Sequence, residues 1–206
     1  MLAYPLPQAQ ALGDFELWHT EAQQIKLSKK LLLAFQETFR FDKNGVLYHQ
    51  EYDFGFRRDI SQNWDWGFNY RLVYVKNKAS ELEEESRPQF LIGWKMTRQN
   101  FSLQDRNILE YRAYQHKQDS WRYRNKITAS GLYFNAGQVL FRPYIADEIF
   151  IDMTTWGLVR NRAYAGLYAD LASWLTAELY YMRQSTKTGS AWAQANIAGT
   201  SLKLTF

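Results

Sequence analysis

The chain has 206 residues, of which 17% are aromatic, with no cysteine, three histidines and a formal net charge of +4. The lack of cysteine excludes disulfides and zinc–thiolate sites, and three scattered histidines predict no metal or other cofactor. The basic residues form no block, which argues against nucleic acid as a partner, and no run of ~18 apolar residues predicts a transmembrane helix.

Apolar and polar residues alternate along most of the chain, which is the two-residue period of β-strands. A weak segment at 15–20 precedes predicted strands over 31–41 and 46–58, in which Glu37 and Gln50 interrupt the apolar faces. No segment has the period of a helix. The sequence therefore predicts an all-β fold.

The segment 64–74 has the clearest alternation. Its polar face carries an arginine, Arg71, and an aspartate, Asp65. Its opposite face is apolar, and we predict that it faces lipid; it consists of Trp64, Trp66, Phe68, Tyr70, Leu72 and Tyr74.

Downstream, the alternation continues to the end of the chain. Asp147 is the one acidic residue on the apolar face of its segment. The acidic run at 81–85 falls in the longest predicted connection, where a solvated loop is expected and no defined cation site is recognised. The predicted strands of this part cover 89–97, 106–113, 121–129, 139–152, 162–169 and 176–181, followed by a C-terminal strand.

The strands are long for a soluble sheet, at about 11 to 13 residues, and match the ~9–11 residues of a tilted membrane crossing. Rings gather near the ends of the apolar faces, as in the aromatic girdles of membrane barrels. We therefore predict a transmembrane, antiparallel, up-and-down β-barrel that forms one domain over 12–206. Residues 1–11, which end in a small-x-small pattern, are interpreted as a signal-peptide remnant or a flexible N-terminus.

The number of strands is harder to predict. The alternation gives eleven strands, whereas single-chain bacterial barrels generally have an even number, and we favour twelve over ten. Either the weak segment 15–20 is not a wall strand, or one more strand is hidden at 2–8 or by a break of 139–152 near Asp147. If Phe206 lies on the periplasmic side, the connections on that side are predicted to be shorter than the outward ones.

The C-terminal residues resemble the targeting signal of bacterial outer-membrane barrels, and the alternative is an ordinary last strand. The resemblance implies insertion by the barrel assembly machinery and a location in the outer membrane of a Gram-negative bacterium, surrounded by lipid and lipopolysaccharide. Ile197 departs from the signal, which usually has a polar residue there. The matching residues are Gly199, Leu202, Leu204 and Phe206.

Several charged motifs resemble a family of uncharacterised Gram-negative outer-membrane proteins that is catalogued only as a domain of unknown function. The resemblance extends from Trp18 to Phe206. It implies a barrel in the outer membrane and carries no activity. The motifs are Asp105-Arg106, Glu110-Tyr111-Arg112, Trp121-Arg122-Tyr123-Arg124, Asp147-Glu148-Ile149-Phe150, Asn161-Arg162 and Gly166-Leu167.

If the apolar face contacts lipid, the polar face lines the lumen. Two interpretations stay open: a narrow, porin-like channel for small anions or acidic oligosaccharides, or a closed barrel without conductance whose arginines pair with carboxylates. The predicted lumen-lining residues are Arg57, Arg71, Arg106, Arg112, Arg122, Arg124, Arg142, Arg162, Glu51, Asp65, Glu110 and Glu148.

No catalytic residue is assigned, and an enzyme is not expected. His116 and Ser120 share one connection, yet no residue in the sequence orients the histidine. His49 lies on the polar parity beside Glu51 and is interpreted as a hydrogen-bonded wall residue. An outer-membrane hydrolase and a soluble lipid-binding barrel, with the aromatic face turned inward, are the less favoured alternatives.

Overall fold

The computed structural model describes residues 14–76, 81–116 and 118–206, so the predicted signal-peptide remnant lies outside the described residues. The described residues contain no helix that is long and apolar enough to span a membrane. The strands are β1 (Asp14–Lys26), β2 (Leu31–Phe41), β3 (Leu47–Asp59), β4 (Trp64–Lys76), β5 (Leu82–Arg98), β6 (Phe101–Tyr114), β7 (Ser120–Gly131), β8 (Phe134–Ala136), β9 (Val139–Asp152), β10 (Gly157–Ala172), β11 (Leu175–Thr188) and β12 (Ala191–Thr205).

Eleven strands form a closed wall, and β8 lies outside it. Neighbours in the chain pair antiparallel, whereas β1 and β12 pair parallel, from Asp14 opposite Ala195 to Gln24 opposite Thr205. An up-and-down chain with an odd number of strands must begin and end in the same direction, so this parallel seam is the only way to close it. The predicted all-β barrel is confirmed, with twelve strands in total but an odd number in the wall.

The twelfth strand is not one of the two that the sequence suggested. The short β8 pairs only with the start of β9, where Phe134 stacks on Phe141 with ring centroids 5.2 Å apart. The segment 139–152 is one continuous strand, and 2–8 lies outside the described residues. The weak segment 15–20 belongs to a 13-residue wall strand, which excludes ten.

The strands extend further than the alternation predicted. Phe206 lies at one end of the barrel, the C-terminal mouth, together with the turns at 27–30, 60–63 and 99–100. The turns at 42–46 and 189–190 lie at the opposite mouth. Only two residues, 189–190, join β11 and β12, because polar residues near the ends of these strands continue the strands instead of forming a loop. The longer connection predicted for this mouth is therefore not found between β11 and β12.

The wall has its apolar side chains outside and its charged side chains inside. Phe54, Ile145 and Leu179 are 60%, 65% and 62% exposed on the outer face, whereas Glu110 and Glu148 are 0% and 2% exposed in the lumen. Water-soluble proteins have the opposite distribution, because burying an unpaired charge is costly. A lipid-binding barrel with the apolar face inside does not fit this wall.

An apolar cluster fills the lumen beside the seam. Ile197 and Met182 are fully buried in it, and the Tyr164 and Tyr180 rings pack against its edge. Ile197 thus departs from the targeting pattern because its side chain points into this cluster. The buried members are Trp18, Met182, Ala195 and Ile197.

Gly199 has a packing role in the last strand. It lies opposite Tyr180 on β11, and the tyrosine ring covers it so closely that an added Cβ would meet Tyr180 Cζ at 2.0 Å. Gly166 accepts the Tyr144 ring in the same way, at 2.7 Å from Cζ. The two glycines let large inward rings lie flat against the neighbouring strand.

Candidate functional site: the polar lumen

The structure places the predicted lumen residues on the inward parity of their strands and the six predicted membrane-facing residues on the outward parity. Trp64, Phe68 and Tyr70 are exposed. Trp66 is half-buried because other outer rings pack against it, with the Phe56 centroid 5.4 Å away. The predicted lumen residues thus lie inside the barrel, and many of them belong to one of three ionic groups.

The first group surrounds Glu51 on β3. Arg40 on β2 pairs with Glu51 Oε1, and Arg71 on β4 contacts Glu51 Oε2 through Nη1 at 2.8 Å. Arg71 Nε also donates to Asp53 Oδ1 at 2.8 Å. His49 lies 2.7 Å from Glu51 Oε1, as expected for a wall residue. This group links three adjacent strands across the lumen side.

The second group is a chain of alternating charges across β6, β7, β9 and β10. Arg122 pairs with Glu110 Oε1, and Arg124 Nη1 lies 3.3 Å from Glu110 Oε2. Arg124 Nη2 continues to Glu148 Oε1 at 2.7 Å, and Arg162 Nη1 lies 3.5 Å from Glu148 Oε2. Each carboxylate therefore joins two arginines, which the low dielectric of the interior requires.

Neutral side chains complete the hydrogen bonding of the second ionic group. Gln89 Nε2 donates to Glu110 Oε2 at 3.2 Å, and the Tyr164 hydroxyl donates to Glu148 Oε2 at 2.9 Å. Arg162 Nε donates to Gln184 Oε1 at 2.8 Å. Buried charges with this degree of satisfaction hold their neighbours in one arrangement.

The third group corrects the prediction for the acidic run at 81–85. Instead of a solvated loop, β5 begins at Leu82, and Glu85 is buried in the lumen. Both oxygens of Glu85 accept from Arg87, at 2.7 Å each, and from Arg112, at 2.6 and 3.2 Å. The sequence prediction missed Glu85 and Arg87, although both share the parity of Gln89.

A phenyl ring lies among the arginines. Phe150 on β9 is 1% exposed, and four guanidinium groups approach its face or edge. Their carbon atoms lie 4.8 to 5.6 Å from the ring centroid. Such cation–π contacts are favourable when the cation is desolvated. The four are Arg122, Arg124, Arg160 and Arg162.

The middle of the lumen is filled. Fully buried side chains come both from the ionic groups and from the apolar cluster. Nearer the C-terminal mouth the pairs are more open, as for Arg57 with Asp65 and Arg142 with Asp170, each at 2.8 Å. The inaccessible side chains are Phe150, Met182, Ile197, Gln89, Glu110, Glu148 and Val73.

A cavity of about 640 Å³ opens at the C-terminal mouth, and we call it the basic cavity. Its lining has more cationic than anionic side chains. Asp59, Asp65 and Asp105 are the acidic members. The basic members are Lys26, Lys29, Lys30, Arg57, Lys95, Arg106 and Lys126.

The histidine considered for catalysis lies outside the lumen. His116 is exposed beyond the end of β6, and the described residues include no cluster of three or more ligands for a metal ion. Asp152, near Glu148 on β9, accepts from the backbone N–H groups of Thr154 and Thr155 in a turn.

Polar side chains on the outer face pair with one another. Asp147, which interrupts the apolar parity, accepts from Asn161 Nδ2 at 3.0 and 2.9 Å. Asp105 accepts from Asn125 on the neighbouring strand. Outward polar groups that satisfy each other in this way are less costly in an apolar surrounding.

A family model of uncharacterised proteins, described as "Protein of unknown function (DUF2490)", matches residues 15–195. The chain belongs to the DUF2490 family. The match covers most of the wall, including the three ionic groups, so the predicted resemblance to an uncharacterised family is confirmed. No curated protein matches this DUF2490 chain at a significant level. The function of this DUF2490 protein must therefore be argued from its own geometry.

Proposed function

We propose that this DUF2490 protein is an integral outer-membrane β-barrel of a Gram-negative bacterium with a structural or interaction role and a lumen that does not conduct ions. The observation that carries the proposal is the distribution of side chains across the wall. Leu179 and Ile145 face outward while Glu110 and Glu148 are inaccessible inside. Lipid is the surrounding in which an apolar exterior with an ionic interior is stable.

The filled middle of the lumen favours the closed barrel over the channel. A conducting path must pass Gln89, Glu110 and Arg124, whose side chains meet at 3.2 and 3.3 Å. Small barrels with interiors filled by side chains behave as packed structures and not as pores. The channel would draw its support from the basic cavity, which attracts anions to one mouth.

The proposed location in the outer membrane is tested by cell fractionation and gel electrophoresis. We expect the chain in the outer-membrane fraction, soluble only with detergent, and migrating differently before and after boiling. Its lipid and lipopolysaccharide contacts, and insertion by the barrel assembly machinery, belong to the same proposal. A chain that stays soluble in buffer without detergent contradicts it.

The closed lumen is tested by conductance in planar bilayers. We expect no openings from the wild-type protein, and openings from an E110A/R124A variant, which removes both partners of a central ion pair together. Openings from the variant show that the purified protein inserts into the bilayer. A lack of openings from the wild type then indicates a closed lumen and not a failure to insert. Steady, anion-preferring openings of the wild type would support the channel instead.

A further inference from the structure

We propose that the basic cavity binds a small, water-soluble phosphate compound that carries two or more negative charges. The proposal concerns a site apart from the filled middle, at the C-terminal mouth. It goes beyond the proposed barrel function, because a barrel that only spans the membrane needs no such site.

The lining of the cavity leaves several cations without an internal counter-ion. Arg57 uses Asp65, at 2.8 Å, and Lys95 uses Asp59, at 3.4 Å. The third acidic residue, Asp105, accepts from asparagine amides on the outer face. The remaining cations of the lining are Lys26, Lys29, Lys30, Arg106 and Lys126.

Arg106 and Lys126 are the centre of the site. They are direct cross-strand partners on β6 and β7, and both line the cavity. Like charges opposite one another are unfavourable unless an anion lies between or beside them. Within the described parts of the chain neither residue forms an ion pair, and the buried Arg106 Nε has no hydrogen-bond partner.

The carboxylates nearest in the register are already engaged. Glu148 lies opposite Lys126 on β9, but its oxygens accept from Arg124 and from the Tyr164 hydroxyl. On the other side, Arg106 faces Gly93, beyond which Asp65 accepts from Arg57. Glu148 therefore favours both cations through space, and Lys126 Nζ lies 4.0 Å from the centroid of the Tyr164 ring, but no carboxylate among the described residues forms an ion pair with Arg106 or Lys126.

The residue types indicate phosphate chemistry. A guanidinium offers a planar set of donors and an ammonium offers a point charge, a combination suited to phosphate oxygens. Lysines in the turn at 27–30 add charge at the rim of the cavity. The volume of about 640 Å³ is that of a small-molecule site. The cavity opens at the mouth of the barrel, where a phosphate compound dissolved in water can enter.

The test is calorimetric titration of the purified full chain in detergent with sodium pyrophosphate. We expect saturable binding by the wild type that weakens with added salt, and a loss of affinity of about tenfold or more for R106Q and for K126Q. K187Q is the matched control, because it removes the same charge from β11 near the opposite mouth, and it should bind as the wild type does.

Variants are compared only after boiled and unboiled samples show that they are folded, and K126R should retain binding if charge is what matters. Absence of pyrophosphate binding by the wild type overturns the proposal. So does binding by R106Q and K126Q with the same affinity as the wild type. Binding of short-chain phosphatidic acid in the same assay without binding of pyrophosphate also overturns it. Because the readout is binding in detergent, its failure is distinct from any result on conductance.

Discussion

The Arg124 guanidinium donates twice to one oxygen of Glu148, from Nε at 3.3 Å and from Nη2 at 2.7 Å. The two residues lie on adjacent strands, and their contact joins the halves of the central ionic chain. Arg124 reaches Glu110 on one side, and Glu148 reaches Arg162 on the other. Loss of Glu148 would leave Arg162 without a charged partner and Arg124 with one carboxylate fewer, and loss of Arg124 would leave Glu110 and Glu148 with one arginine each.

We predict that Glu148→Gln lowers the free energy of unfolding by about 3–5 kcal/mol, because it uncovers buried guanidinium charges. Asp170→Asn is the matched control: its pair with Arg142 is about a third exposed, so we expect a loss of about 1 kcal/mol or less. Urea unfolding in detergent micelles measures both. Equal losses for the two variants would contradict the buried network.

We predict that Gly199→Ala lowers the midpoint of heat-induced unfolding, since the added Cβ meets the Tyr180 ring. The double variant G199A/Y180A should regain part of the loss, because the ring that clashes is gone. A role of Gly199 in the targeting signal alone predicts something different: lower delivery to the membrane, no change of midpoint and no rescue by the second substitution.

We predict that Leu72→Arg impairs insertion, at a cost of roughly 2–4 kcal/mol for a charge near the middle of the lipid-facing wall. Leu132→Arg is the control, because Leu132 is 85% exposed in the segment after β7 at the C-terminal mouth, where the cost is about 0–1 kcal/mol. Refolding into lipid vesicles compares the two yields. Similar yields would argue against lipid around Leu72.

We predict that Phe150→Leu lowers the free energy of unfolding by about 2 kcal/mol, because the ring's contacts with four desolvated guanidinium groups are lost. Met182→Leu, an equally buried and volume-conserving change in the apolar cluster, should cost less than about 1.5 kcal/mol. Denaturant titration measures the free energy of unfolding of both variants. If Phe150→Leu costs no more than Met182→Leu, the cation–π contacts do not stabilise the fold.

The alternation of residues was enough to predict which side chains face inward, since the period of a strand assigns every residue to one face. Arg71 and Leu72 are an example, as neighbours that face opposite ways. Alternation does not fix the register, however, and the pairing of Arg40 with Glu51 depends on it. The spacing of motifs along one strand carries no information on partners across the lumen.

Two differences between the sequence prediction and the structure have separate physical origins. The sequence predicts a loop at the start of β5, because Glu85 and Arg87 are residue types typical of solvated segments, whereas in the structure they pair with each other in the lumen. An even number of wall strands is expected because most single-chain barrels close with antiparallel neighbours. Here the backbone of Phe206 instead bonds to Gln24 and Lys26 in a parallel seam.

This seam sets the order in which the barrel can be completed. Every other contact around the wall joins strands that are consecutive along it, so each can grow from a local hairpin. Across the seam, His19 and Thr200 are 181 residues apart in sequence and come within 2.8 Å. A contact with so large a sequence separation bears the loop-closure entropy of almost the entire chain. We therefore expect completion of the wall to be the last folding event, and separation of β1 from β12 to be the first step of unfolding.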